Sequence, residues 1–188
     1  LMPLFRAGWV AEDPVLVTGL SGVSGAGSTP APRYHFPECT ENVQPYGIPG
    51  HRHVPEMEQE LSGLAGRPVS VCFTPHLVPM SRGILITAVA TLAGGAEADR
   101  LQELYASAYG QEPFVRVLGP DELPKTRAVW GSNYCDVAVR FDARTGKVVA
   151  LAAIDNLVKG AAGQAIQNMN LMLGLPESTG LTGPGLCP

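Results

Sequence analysis

The chain has 188 residues, 45% of them hydrophobic and 16% charged, with a net charge of -4. That length suits one domain burying roughly 70% of its unfolded surface, and the composition excludes a disordered chain. An acidic balance without a Lys/Arg cluster argues against a nucleic-acid partner, and the longest apolar stretch, Gly83 to Gly95, is too short to span a bilayer.

The first residues, Leu1 to Gly8, read as the end of a helix closed by Gly8, with no Ser, Thr, Asp or Asn before it as a cap. They lack the charged region of a signal peptide. Pro14 to Leu20 reads as a buried strand running into a loop of small residues, Ser21 to Gly27. Residues 28–50 are rich in Pro, Gly and polar side chains and predict a long irregular excursion. A helix follows from Val54-Pro55 to about Gly63, with Glu56, Glu58 and Glu60 in its early turns.

Two strands are predicted next, Arg67 to Thr74 and Arg82 to Leu92; their imperfect alternation predicts that both faces are covered. Ala96 to Tyr109 is an amphipathic helix stopped by Gly110, and Phe114 to Val117 a short strand. Asp136–Arg140 and Val148–Ala152 form a hairpin in which Gly146 takes a positive φ. A last helix runs from about Gly160 to Leu173, with Ala162, Ile166, Met169 and Leu173 on one face. The predicted class is α+β, with a largely antiparallel mixed sheet and helices on one face.

Three stretches carry side chains suited to chemistry. In Gly47 to Glu56, His51, Arg52 and His53 stand just before a helix N-terminus, whose free N–H groups and partial positive charge attract anions and disfavour imidazolium. His51 is thereby a candidate acid/base and Arg52 a planar donor fork. Two other readings stay open: a pair of surface cap residues, or a metal site of His51 and His53 with His35 and Cys39 nearby. The second stretch, Ser21 to Gly27, is a candidate anion nest or a plain turn, and it fits neither GxGxxG nor the Walker pattern. The third, Asp155 to Gly163, offers Asn156 to a carboxamide and a smooth small-residue helix start, or simply close helix–sheet packing. Arg82 is a weaker candidate. The four cysteines, Cys39, Cys72, Cys135 and Cys187, are widely spaced without a CxxC pair, which predicts a reduced, cytoplasmic protein. Cys72 is expected to be a small core residue, Cys39 lies in the long loop and Cys187 in the tail, and Cys135 is the least implausible nucleophile.

Together these stretches resemble the N-acetyl-gamma-glutamyl-phosphate reductase family. The matching motifs are Ser21–Gly27 (SGVSGAG), Gln44–Gly47 (QPYG), His51–Glu56 (HRHVPE), Phe73–Pro79 with Ser81-Arg82-Gly83, Gly131–Asn133 and Asp155–Gly163 (DNLVKGAAG). They follow the family's order along the whole chain. The HRHVPE block favours this type over aspartate-semialdehyde dehydrogenases and leaves the aminoadipyl-phosphate reductase branch open.

The resemblance implies a glyceraldehyde-3-phosphate-dehydrogenase-like C-terminal domain and an NADPH-dependent reduction of an acyl phosphate through a cysteine thioester. His51 then resembles the general acid/base, and Arg52, His53, Glu56 and Arg82 the substrate-site residues. Ser21, Gly22, Asn156 and Lys159 resemble contacts near the cofactor; no metal is implied. The family's Gly-Cys-Tyr-Pro motif and nucleotide-binding domain are absent from these residues, and Ser28 stands where a basic residue is usual. The implied division is 1–14, a helix end and linker; 15–158, a catalytic and dimerisation domain; and 159–188, a helix and tail facing a nucleotide-binding domain. A small acyl phosphate and a second copy of the chain, joined through the sheet as a dimer or tetramer, are the implied partners, with neither nucleic acid nor membrane. A metal-dependent hydrolase using His51 and His53 and a purely structural dimerisation module are the competing readings.

Overall fold

The computed structural model describes residues 1–186, so Cys187 lies outside the described residues. Seven strands form one sheet in the order β2-β3-β1-β4-β7-β6-β5. They are β1 (Val15–Ser21), β2 (Gln44–Pro45), β3 (Val71–Leu77), β4 (Ile84–Thr91), β5 (Val115–Val117), β6 (Cys135–Asp142) and β7 (Lys147–Ile154). β1 lies parallel to β3 and β5 parallel to β6, while the remaining neighbours are antiparallel. This is the α+β class and mixed sheet expected.

Alternation decides the two faces of the sheet. On β1, Val15, Val17 and Gly19 are buried, and Leu16 and Thr18 between them are exposed. Val15 and Val17 join Val71, Ala88, Ala90, Val139 and Val148 in a core closed by α1 (Met2–Arg6), α3 (Val54–Ala65) and α4 (Leu101–Tyr109). Gly19 is required on this face, because a Cβ there would approach the Phe73 ring to 3.1 Å and Ile86 Cδ1 to 3.2 Å. The opposite face stays open over β3 and β1. This corrects the expectations that Pro14–Leu20 is a buried strand, that both faces of the Arg67–Thr74 strand are covered and that Cys72 is a core residue, since Leu16 and Thr18 are exposed on β1 and Cys72 on β3. It points away from its core neighbours Val71 and Phe73, and an apolar sequence does not reveal which face lacks a cover. At the far end of this face, Arg140 holds the carbonyls of Gly119 and Glu122. There Arg116 pairs with the buried Asp136, and α5 (Thr126–Val129) packs on β7.

The other departures have local causes. β3 starts at Val71 rather than Arg67, because Arg67 is turned to the carbonyls of Val10 and Ala11, and Ser62 Oγ accepts from Val69 N–H. Pro75 sits inside β3; its carbonyl accepts from Tyr46 N–H, so the side that lacks an N–H faces the two-residue edge strand β2. α3 passes through Gly63 and ends at Gly66, whose φ is +65°. The predicted helix from Ala96 forms only from Leu101, after a single 3-10 turn at Ala98–Arg100. The excursion over 28–50 contains a 3-10 turn (Pro32–Tyr34), the short helix α2 (Phe36–Cys39) and β2. The last helix opens as a π-helical turn, Val158–Ala162, and continues as α6 (Gly163–Met172). No helix among the described residues is long and apolar enough to cross a membrane.

Candidate functional site

One end of the sheet gathers most of the candidate residues. Leu77, Ser21, Ile84, Ile154 and Cys135 lie side by side in a single lateral row, so the loops leaving these strands meet there. Asn156 is buried in this corner: its Oδ1 accepts from Gly83 N–H at 2.6 Å and its Nδ2 donates to Ser24 Oγ at 2.9 Å. A Cβ on Gly25 would reach Ser21 Oγ at 3.2 Å and Asn156 Nδ2 at 3.7 Å, so Ser21, Gly25 and Asn156 converge.

The small-residue loop is not an open anion nest. The N–H groups of Gly22, Val23 and Ser24 donate to the carbonyls of Gly83, Met80 and Ser81, and those of Gly25 and Gly27 turn back on the loop itself. Gly22 is needed for close approach, since a Cβ would lie 2.9 Å from Arg82 N. The run of small residues here permits backbone-to-backbone packing.

Arg82 is turned toward the protein. Its guanidinium meets Asp155 Oδ2 at 3.0 Å, and the Asp155 carboxylate also accepts from Gly131 N–H at 2.7 Å and Leu157 N–H at 2.8 Å. Asp155 is completely buried, so these partners are what make an ionised carboxylate tolerable there. It ties three loops together beside Asn156. Lys159 lies apart from that amide, donating to Gln167 Oε1 at 2.7 Å and standing over the Phe114 ring. Partial burial lowers its pKa.

The second corner is built around His51, at the β2 side of β3. Its ring is in edge contact with Phe73, Tyr46 and His53, with centroids 5.1, 5.6 and 4.9 Å away. Its Nδ1 accepts from His53 N–H at 3.2 Å. Desolvation first, then the nearby His53 and Arg52, push the His51 pKa below its ordinary value. His53 occupies the N-cap of α3 but makes no side-chain capping bond there. Arg52, His53 and Glu56 are exposed, and Glu56 borders a cavity of about 500 Å³ between α3 and the start of α1, floored by Val17, Ile86, Ala88, Ala150 and Ala152. Among the described residues no three His, Cys, Asp or Glu side chains gather as metal ligands, so His51 and His53 remain a pair.

No described cysteine is placed as an activated thiol. Burial pushes the Cys135 thiol up to about 11, Cys39 Sγ donates to Arg33 O at 3.1 Å, and Cys72 lies on the open sheet face. Several residues to which the sequence assigned no role complete these corners: Asp155, Tyr46 and Phe73, which lie within the quoted motifs, and the polar group of Gln167 and Asn170 on α6 with Glu177 after it. The spacing of Gly163, Gln167 and Asn170 on one helical face was the available signal for the last of these.

Solved structures share this fold. Aspartate semialdehyde dehydrogenase II from Vibrio cholerae superposes with a TM-score of 0.68 at 20% identity, over 92% of this chain and 57% of that one. Aspartate semialdehyde dehydrogenase from Francisella tularensis gives 0.70 at 14% identity, over 92% and 60%. Among curated proteins, N-acetyl-gamma-glutamyl-phosphate reductase of Moorella thermoacetica is 52% identical over 188 residues, all of this chain and 54% of that protein. The reductase of the same name from Symbiobacterium thermophilum is 55% identical over 184 residues, 97% of this chain and 53% of that protein. The chain spans about half the length of the curated relatives it matches. A family model described as the semialdehyde dehydrogenase dimerisation domain matches residues 1–156. The chain therefore belongs to that dimerisation-domain family, and it matches the C-terminal dimerisation part of N-acetyl-gamma-glutamyl-phosphate reductases.

Proposed function

We propose that this chain is the dimerisation and substrate-side half of an N-acetyl-gamma-glutamyl-phosphate reductase, and that by itself it is a dimerisation module without reductase activity. The likeness along its whole length to reductases of twice that length carries the reading. In the complete reaction a cysteine thiolate outside these residues displaces phosphate from the acyl phosphate, and the thioester is then reduced to the semialdehyde. NADPH supplies the hydride.

The chain's own residues bind and orient. His51 handles the proton or the developing charge at the reacting group, and Arg52, His53 and Glu56 form the exposed rim that meets the anionic substrate. Ser21, Gly22, Asn156 and Lys159 shape the cofactor side of the site. Arg82 contributes there through Asp155, which holds the turn carrying Asn156. The open face of β3 and β1, with Leu16, Thr18 and Cys72 uncovered, is the surface for a second copy. Ala162, Ile166, Met169 and Leu173, exposed along the last helix, belong against a nucleotide-binding domain.

Three measurements test this reading. The 188-residue chain is expected to sediment as a dimer, to become monomeric on Leu16→Arg, and to show no reduction of N-acetylglutamyl phosphate by NADPH. In the complete protein His51→Ala is expected to lower turnover by about 10²–10⁴-fold with the fold intact. An unchanged rate returns His51 to a helix-capping residue, and reduction by the short chain that disappears on Cys135→Ser overturns the assignment.

A further inference from the structure

The geometry around His51 fixes more than its place. We propose that His51 is held as the Nε2–H tautomer, with the His53 amide, Gly47, Tyr46 and Phe73 as positioning groups, so that the neutral imidazole meets the reacting group as a hydrogen-bond donor. This rests on the reading of His51 as the residue at the reaction centre.

Both inner edges of the ring are occupied. A backbone N–H only donates, so the 3.2 Å bond from His53 N–H requires a lone pair on Nδ1, and a neutral imidazole then carries its proton on Nε2. On the other edge, a Cβ at Gly47 would stand 2.9 Å from His51 Cδ2, so the ring lies directly against the Gly47 backbone. Gly47 has a φ of +62°, which a side chain would also strain. Phe73, Tyr46 and His53 meet the ring at interplanar angles of 81°, 64° and 75°, closing it in from three directions. Turning the ring over would trade the Nδ1 bond for a carbon facing an amide N–H. What remains free is the distal edge with Nε2.

Protonating Nδ1 breaks the bond from His53 N–H. It also places a second positive charge beside Arg52, which with His53 and Tyr46 makes up the titratable and charged surroundings of the ring, Phe73 being neutral. Burial acts in the same direction. The neutral donor is therefore the resting form near neutral pH. A donor fixed in this way stabilises an adjacent anion, a thiolate or an oxyanion, by hydrogen bonding without first accepting a proton.

Side-chain nitrogen NMR on the uniformly labelled 188-residue chain above pH 7.5 decides the matter, with the exposed His35 as an internal solvated reference. The His51 ratio of Nε2–H to Nδ1–H is expected to exceed that of His35 by about five- to tenfold, the equivalent of one ordinary hydrogen bond. Phe73→Leu and Gly47→Ala should each bring the ratio toward the His35 value and raise the His51 pKa, with the amide spectrum of β4 and β7 unchanged. A predominantly Nδ1–H His51, or a ratio equal to that of His35 in the unsubstituted chain, overturns the inference whether or not the variants fold. The functional reading fails separately: normal turnover of His51→Ala in the complete protein, where no side-chain donor is left, removes the catalytic role and leaves the tautomer standing.

Discussion

Helices α4 and α6 have similar lengths, nine and ten residues, and opposite burial. In α4 the ordinary pattern holds: Leu101 and Tyr105 face the sheet, Tyr105 with no exposed surface, and Glu103, Ala106, Ser107 and Ala108 face solvent. In α6 the buried positions are Gly163, Gln167 and Asn170, while Ile166 is 40% exposed, Met169 48% and Leu173 66%. The polar side of α6 is not idle. Gln167 accepts from Asn133 and Lys159 and donates to Glu177, and Asn170 Nδ2 reaches the carbonyls of Glu177 and Thr179. A helix is placed by whatever its buried face can satisfy. Here α4 is placed by apolar area and α6 by a hydrogen-bond network, which leaves the apolar side of α6 free for another surface.

The largest effect expected from this difference is on α4. Tyr105→Ala should cost about 3–5 kcal/mol, because it removes a fully buried ring from the core under α1. Urea unfolding of the 188-residue chain measures it, and a loss under about 1 kcal/mol would mean that the core does not rely on this face. Tyr105→Phe sharpens the point. The hydroxyl is buried without a partner, so its removal should be neutral or stabilising.

On α6 the sensitive positions should be the polar ones. Gln167→Ala is expected to cost about 1–3 kcal/mol, since Asn133, Lys159 and Glu177 each lose a partner in a partly dry setting. Asn133 already has one buried oxygen without a partner, so it has no reserve. Gly163→Ala belongs to the same group: a Cβ there would run into Asn133 Oδ1 and stand 2.8 Å from Val158 O.

The smallest effect is expected on the apolar side of α6. Met169→Gln should change the stability of this chain by no more than about 0.5 kcal/mol, as at an ordinary surface position. The same substitution in a complete protein should cost more than that if a nucleotide-binding domain lies on this face. Equal, negligible losses in both would leave the apolar stripe without a partner.

The candidate site was legible to an uneven degree. His51 stood out because it precedes a helix start beside a glycine and an arginine, and the structure keeps these neighbours together. Asn156 also lies at a loop junction as expected, but its amide is largely committed to Gly83 and Ser24. Arg82 read as a solvated or ligand-binding charge, because its partner Asp155 is 73 residues away and neither sequence position advertises the other. Long-range ion pairs of this kind leave no local periodicity.

What the sequence determined by itself were features set by neighbours in the chain. The strand character of β1, the hairpin turn at Gly146 and the helical spacing of Leu101, Leu104 and Tyr105 all follow from backbone geometry over a few residues. Tertiary structure alone decided which face of the sheet stays open and which side of α6 is buried. Apolar residues occur on both faces of β1 and on the outer side of α6, so composition cannot choose between them. The choice was made by where α1, α3 and α4 cover the sheet, and by the polar groups of Asn133, Lys159 and Glu177 waiting beneath α6.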